Sequence, residues 1–149
     1  MSTPWKPNVT VAAVIEREGK FLLVEERTGE GLRLNQPAGH LNEGESLVAA
    51  AIRETMEESA WEFIPQRLIG IYRWRPPGLD ITYLRFAFSG MLGAFSNREL
   101  DQEIVRTVWM SVEEIRASRE RHRSALVLRC VEDYLRRASY PLDLLVEPA

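Results

Sequence analysis

Cys130 is the one cysteine in a chain of 149 residues, which excludes an internal disulfide and suits a reducing, cytoplasmic setting. Histidine is almost as scarce. His40 and His122 have no paired ligand spacing around them, so a zinc site lacks a foundation and both are expected in structural roles. No window approaches about 18 consecutive apolar residues, so no segment is expected to span a membrane. Met1 to Pro7 lacks an apolar run and reads as neither signal peptide nor anchor. An excess of one charge is missing too: 19 basic against 22 acidic side chains leave −3. That is no electrostatic footprint for bulk nucleic acid. There is no internal repeat, no low-complexity tract and no dividing linker. With 45% hydrophobic residues, the chain suits one domain with one good-sized core. A short flexible N-terminus over 1–7 and a C-terminal tail from about residue 140 are expected at its ends.

What is present begins with strand patterns. Val9 to Glu16 is rich in Val and Ile, Arg17-Glu18-Gly19-Lys20 reads as a turn, and Phe21 to Glu26 as its hairpin partner. Thr28 to Gly31 is a polar loop. Leu32 to Gly39 reads as an extended segment closed by a turn at Pro37-Ala38-Gly39. Ser46 to Ser59 has no Gly or Pro and is dominated by helix formers. Strands are expected over Leu68–Trp74, stopped by Pro76-Pro77-Gly78, then over Ile81–Phe88 and Val105–Met110. Ser111 with Glu114 has the form of a capping box. Val127, Leu128, Val131, Tyr134, Leu135 and Ala138 fall on one helical stripe, read as core packing. The order β-β-α-β-β-β-α-α predicts an α/β fold, a mixed sheet between helices.

The chemistry concentrates between Gly39 and Trp61. On a helix, Glu54, Glu57 and Glu58 form an i, i+3, i+4 set within an arc of about 100°. Like charges so placed weaken a helix by a few tenths of a kcal/mol, and a divalent cation resolves the conflict, since hard cations take oxygen ligands. A solvated acidic face, partly neutralised by Arg53 four residues before Glu57, is the plain alternative. Against it, Val48, Ile52 and Thr55 form a separate stripe expected to face the core. Ala50, on the acidic side, leaves room for a ligand. Gly39 lets backbone approach a metal closely, and its carbonyl is a candidate ligand.

These residues resemble the Nudix box, G-x5-E-x7-R-E-U-x-E-E-x-G-U, where U is a bulky aliphatic residue. Gly39, Glu45, Arg53, Glu54, Glu57 and Glu58 fill six of its seven fixed positions. Such agreement arises by chance on the order of once in ten million. Three positions depart. Ala60 stands in place of the glycine, and Thr55 and Trp61 in place of aliphatic residues; Ala60 requires a non-glycine residue in the helix cap. Asn35-Gln36-Pro37-Ala38-Gly39-His40-Leu41, Leu84-Arg85-Phe86 and Tyr140-Pro141-Leu142 further resemble the NudJ-type phosphatases of that superfamily, over roughly Pro7 to Leu145.

The resemblance implies an α/β/α sandwich in one Nudix domain. It implies hydrolysis of phosphoanhydride bonds in nucleoside tri- and diphosphates or related pyrophosphates, thiamine-pathway pyrophosphates among them, releasing orthophosphate. It implies Mg²⁺, with Mn²⁺ as a substitute, held by Gly39, Glu54, Glu57 and Glu58, with Arg53 and Glu45 orienting the acids. Glu54 or Glu103 would be the general base, with Asp101 an alternative to Glu103. Arg85 is the first choice for a phosphate clamp on strand grounds, followed by Arg27, Arg33, Arg73 and Arg75, and Trp74 or Tyr72 could stack on a base. Two other readings stand beside this one: a Nudix pyrophosphohydrolase of ADP-sugars, dinucleotides or capped RNA, and a non-catalytic nucleotide-binding module. The expected partner is a small nucleotide or pyrophosphate, with no membrane, and the chain is expected to be a monomer or homodimer.

Overall fold

The computed structural model describes residues 2–148. Its elements run β1 (Asn8–Val14), β2 (Glu16–Arg17), β3 (Lys20–Thr28), β4 (Gly31–Asn35), β5 (Ala38–His40), α1 (Leu47–Ser59), β6 (Trp61–Trp74), β7 (Tyr83–Phe95), β8 (Ile104–Ser111), α2 (Val112–Ala117), α3 (Leu126–Leu135) and β9 (Tyr140–Pro141). One-turn 3₁₀ helices lie at Arg119–Arg121 and Leu142–Leu144. Five strands form a mixed sheet in the order β5-β1-β7-β6-β9, in which β1 and β7 are parallel and the other pairs antiparallel. A second, antiparallel sheet is built around β3, which pairs with β2, β4 and β8.

The hairpin expected between Val9–Glu16 and Phe21–Glu26 survives only at its tip. Glu16 and Arg17 pair with Phe21 and Lys20, and the Ile15 carbonyl accepts from Leu22 N–H at 3.0 Å. Before Ile15 the chain has crossed into the other sheet. Val11 to Val14 are all at or below 1% exposure, so β1 is a central strand covered on both faces. A strand of that kind needs neighbours on each side rather than one hairpin partner. The segment expected as a turn, Pro37-Ala38-Gly39, is also a strand in part. Ala38, Gly39 and His40 pair with Ala12, Val11 and Thr10.

β6 and β7 are longer than expected because Pro65, Gly90 and Gly93 lie inside them instead of ending them. Register shifts around Trp61/Phe63, Pro65/Arg67 and Leu68/Gly70 absorb the irregularities. A Cβ at Gly90 would collide with the Ile64 carbonyl across the pair.

Helices cover both faces of the mixed sheet, as expected. On one side α1 packs Ala50 and Ala51 against Val11, Ala13, Phe63, Leu68 and Phe88. On the other, α3 brings Leu126, Leu128, Cys130 and Val131 onto Val14, Phe21, Leu23, Leu34 and Ala87, with Ile115 of α2 alongside. The α3 stripe holds through Tyr134, and Ala138, past the helix, still packs on the core; Leu135 alone of the stripe is exposed. Arg137, with φ 64°, turns the chain away there. The capping box of α2 is formed in both directions, Ser111 Oγ accepting from Glu114 N–H and Glu114 Oε1 from Ser111 N–H. In the expected C-terminal tail, β9 pairs with Arg67 and Leu68, and Leu142 and Leu145 pack on the core. No helix among the described residues is long and apolar enough to cross a membrane.

Candidate active site

Ser46 caps α1, its Oγ accepting from Ala49 N–H at 3.0 Å. Ala60 ends the helix in the left-handed conformation, φ 64° and ψ 12°, and its N–H returns to the Met56 carbonyl. The αL cap expected of a glycine is thus made by alanine, at a backbone cost of roughly 1–2 kcal/mol. The buried face of α1 overlaps the expected one at Thr55, fully buried, and at Val48, packed on the core, but departs from it at Ile52. Ile52 is exposed and Val48 half-buried, whereas Ala50, Ala51, Thr55, Glu58 and Ser59 face inward. Small residues let α1 lie close against β1, which rotates the buried stripe by one position. Ala50 therefore belongs to the core and opens no ligand space. The inward hydroxyls bond back along the helix, Thr55 Oγ1 to the Ala51 carbonyl and Ser59 Oγ to the Thr55 carbonyl.

That rotation carries Glu58 to the sheet edge. Its side chain is buried, and Oε1 accepts from Ala38 N–H of β5 at 3.0 Å. Next along β5, Gly39 lies directly over the Glu54 carboxylate, and any Cβ there would occupy the space of those oxygens. Gly39 is not among the residues with positive φ. Close approach to Glu54, rather than a turn, is what requires glycine here.

Arg53 gathers the acids. Its Nε and Nη2 donate to Glu45 at 2.6 and 3.0 Å, Nη1 donates to Glu54 at 2.7 Å and Glu57 at 2.9 Å, and Nη2 also reaches the His40 carbonyl. Glu45 itself closes its loop by accepting from Asn42 N–H. Hydrogen bonds to Arg53 hold Glu45 below the ordinary carboxylate range.

Glu54 and Glu58 do not turn toward solvent. Their oxygens and one of Asp101 lie within 4.8 Å of one another. Asp101 is delivered by the segment before β8, whose backbone is fixed by Asp101 N–H donating to the Glu57 carbonyl. Glu57 is the most exposed of the helix acids and sends Oε1 to Arg53. Burial pushes Glu58 up to about 9, with Glu54, Glu26 and Asp101 adding repulsion. Burial also raises Glu54, against the pull of Arg53, and raises Asp101 beside Glu57. Hard oxygen donors, a glycine cradle and buried anions short of positive charge suit a divalent cation.

Of the two acids expected near β8, Asp101 enters this corner. Glu103 is exposed; its carbonyl receives Arg27 N–H, and its charge acts on both Asp101 and Glu26. Glu26, which received no role from the sequence, is mostly buried beside Asn35 and 3.7 Å from Arg123. Burial raises its pKa. The signal for it was weak: Glu25 and Glu26 end the apolar run of β3, and strand alternation sends them to opposite faces. Glu25 is taken by Arg106 and Arg121.

The proposed substrate residues separate by strand alternation. Trp74, Tyr72, Tyr83 and Arg85 share the sheet face turned toward α3, and Trp74 stacks on Tyr83 with centroids 6.2 Å apart. His40 lies 6.5 Å from Tyr83 in the same row. Tyr72 is half-buried and packs on the core beneath α3, its hydroxyl donating to Asp133 at 2.7 Å. Arg73 alternates to the opposite face, away from Trp74, because successive strand residues point apart; Arg75, just past the end of β6, donates to the Leu79 carbonyl and pairs with Asp80 at 3.3 Å. Arg27, exposed, donates to the Gln102 carbonyl at the rim of the acidic corner. Arg33 pairs across the strand with Glu26. Arg85 is 5% exposed, with Nη1 donating to Gln36 Oε1 at 2.9 Å and Nη2 to Asn35 Oδ1 at 3.1 Å. His122 sits beside Ser118 Oγ, and burial lowers its pKa.

Comparison with known proteins follows the same lines. A model of the NUDIX domain matches residues 4–129. Phosphatase NudJ of Escherichia coli (strain K12) is 39% identical over 142 residues, 95% of this chain and 92% of the relative. A solved NUDIX hydrolase from Nitrosomonas europaea superposes with a TM-score of 0.93 at 52% identity, covering 96% of this chain and 98% of that one. The MutT protein from Methanosarcina mazei Go1 gives a TM-score of 0.73 at 25% identity, over 91% of this chain and 98% of its own.

Proposed function

The chain belongs to the Nudix hydrolase family, and from that premise we propose that it is a Mg²⁺-dependent phosphatase of nucleoside tri- and diphosphates or related pyrophosphates, releasing orthophosphate. The observation that carries the metal dependence is the corner where Glu54, Glu58 and Asp101 converge with Glu58 buried. Orthophosphate as the product is supported by the relative named a phosphatase at 39% identity.

In this reading Gly39, Glu54, Glu57 and Glu58 hold the cation, Mn²⁺ being able to replace Mg²⁺, with Asp101 as an added neighbour. When bound, the ion supplies charge neutralisation for phosphate oxygens and acidity to water. The chain's own groups do the rest. Arg53 fixes Glu45, Glu54 and Glu57 in one array, and Ala38 N–H fixes Glu58. Glu54 or Glu103 accepts the proton as water attacks phosphorus, with Asp101 competing for that role on the strength of its place in the corner. Arg27 and Arg33 meet the phosphate chain at the rim, and the Trp74–Tyr83 pair offers a flat surface to a base or other ring. One catalytic domain, a cytoplasmic setting and a monomeric or homodimeric state complete the proposal.

An orthophosphate-release screen over nucleoside tri- and diphosphates and thiamine pyrophosphate, with and without Mg²⁺, tests it. Release of orthophosphate only with the metal is expected. Release of pyrophosphate, or of two monophosphates from dinucleotides or ADP-sugars, would move the chain to another Nudix substrate class. Tight nucleotide binding with no product would make it a binding module.

A further inference from the structure

Arg85 occupies the central strand of the mixed sheet, yet its guanidinium serves another part of the molecule. The side chain is 5% exposed, and among the described residues no carboxylate lies within ion-pair distance of it. A buried cation whose direct partners are neutral, with Glu26 acting only at longer range, contributes little to stability. Its two Nη atoms fork onto adjacent residues, Asn35 and Gln36, and Gln36 in turn donates from Nε2 to the Val127 carbonyl of α3 at 2.8 Å. Asn35 ends β4 in one sheet, and Ala38 begins β5 in the other. The two residues Arg85 grips are therefore the start of the short crossing that delivers Ala38 N–H to Glu58 and Gly39 to Glu54. The next residue, Pro37, is pinned by its carbonyl accepting from Ala13 N–H.

We infer that Arg85 is a positioning residue: it sets the crossing from β4 to β5 and thereby the backbone at Ala38 and Gly39 against which Glu58 and Glu54 are placed. This rests on the metal-dependent reading of the acidic corner. Lysine keeps the charge at this position but lacks the rigid, planar fork that spans Asn35 and Gln36. Asn35→Ala removes one acceptor and leaves the guanidinium in place, so the two variants separate positioning from direct phosphate binding.

The test uses the full chain as wild type, Arg85→Lys and Asn35→Ala, folding being checked by circular dichroism. Amide exchange over residues 35–40 is followed without metal, Mn²⁺ binding without substrate, and then kcat and KM. Positioning predicts faster exchange at Ala38 and Gly39 in both variants. It predicts Mn²⁺ affinity lower by about tenfold, with a fall in kcat at nearly unchanged KM. Unchanged exchange and Mn²⁺ affinity, with KM raised in Arg85→Lys alone, would overturn the inference and make Arg85 a phosphate clamp. If Arg85→Lys does not fold, Asn35→Ala decides by the same exchange and affinity readings. Failure of the wild type to bind Mn²⁺ would sink the metal reading, whereas exchange at Ala38 and Gly39 still judges the positioning.

Discussion

Arg53 and Arg85 are each the hub of a hydrogen-bond network, and the two networks are opposites. Arg53, a quarter exposed, holds Glu45, Glu54 and Glu57, with Glu58 and Asp101 close by. Arg53, with Arg98 acting on Asp101 from the side, faces five acids there. Arg85 is buried and bonds two neutral amides and the Cys130 sulfur, with Glu26 only at longer range. The first network is short of positive charge, which suits a cation from outside. The second is complete as it stands and fixes backbone. On the proposed reading chemistry belongs to the first network and geometry to the second, and the segment Pro37-Ala38-Gly39 lies between them.

Neutralising the unbalanced side should break the contrast most severely. Glu58→Gln and Glu57→Gln are each expected to lower turnover by roughly a hundredfold or more, with the fold intact by circular dichroism. Near-wild-type turnover in both would remove the cation from that side. A smaller effect is expected from pH on the metal-free protein. Glu58 has an ordinary value of 4.5 and a folded value of about 9, so the folded chain holds a proton that the unfolded chain has released between those limits. Its contribution to stability is full below about pH 4.5 and is lost as pH rises toward about 9. Melting temperature without metal should therefore fall across that window, and Mg²⁺ should flatten the slope by favouring the ionised acid. A slope that Mg²⁺ leaves unaltered would count against the corner as its site. The smallest effect sharpens the local geometry: Ala60→Gly should relieve left-handed strain at the helix end, raising stability by at most about 1 kcal/mol because glycine also gains unfolded-state entropy. Urea denaturation measures it, and a clear loss of stability would mean that the buried Ala60 methyl outweighs the strain.

The acidic spacing from Gly39 to Glu58 was legible in sequence because helix periodicity and the box fix those positions relative to one another. The buried face of α1 was legible only in part, at Val48 and Thr55; the exposure of Ile52 was not, since it depends on how closely Ala50 and Ala51 let the helix approach β1. The mixed sheet between helices could be read from element order. The second sheet could not, because Ile15 looks like any strand residue until β1 is seen to be enclosed on both sides. Arg85 was visible as an arginine on a strand and therefore read as a clamp. Its bonds to Asn35 and Gln36 span about fifty residues of sequence and leave no local pattern. Asp101 and Glu26 were equally silent, as their meaning comes from burial and from acids on other elements.

The most direct measurement is a Mn²⁺ titration of the metal-free protein, with free ion followed by electron paramagnetic resonance, comparing wild type with Glu58→Gln. Saturable binding by the wild type is expected, releasing on the order of one proton near neutral pH, together with at least about tenfold weaker binding by the variant. Equal affinity in the two proteins, or no binding by the wild type, would contradict a cation site among Glu54, Glu58 and Asp101.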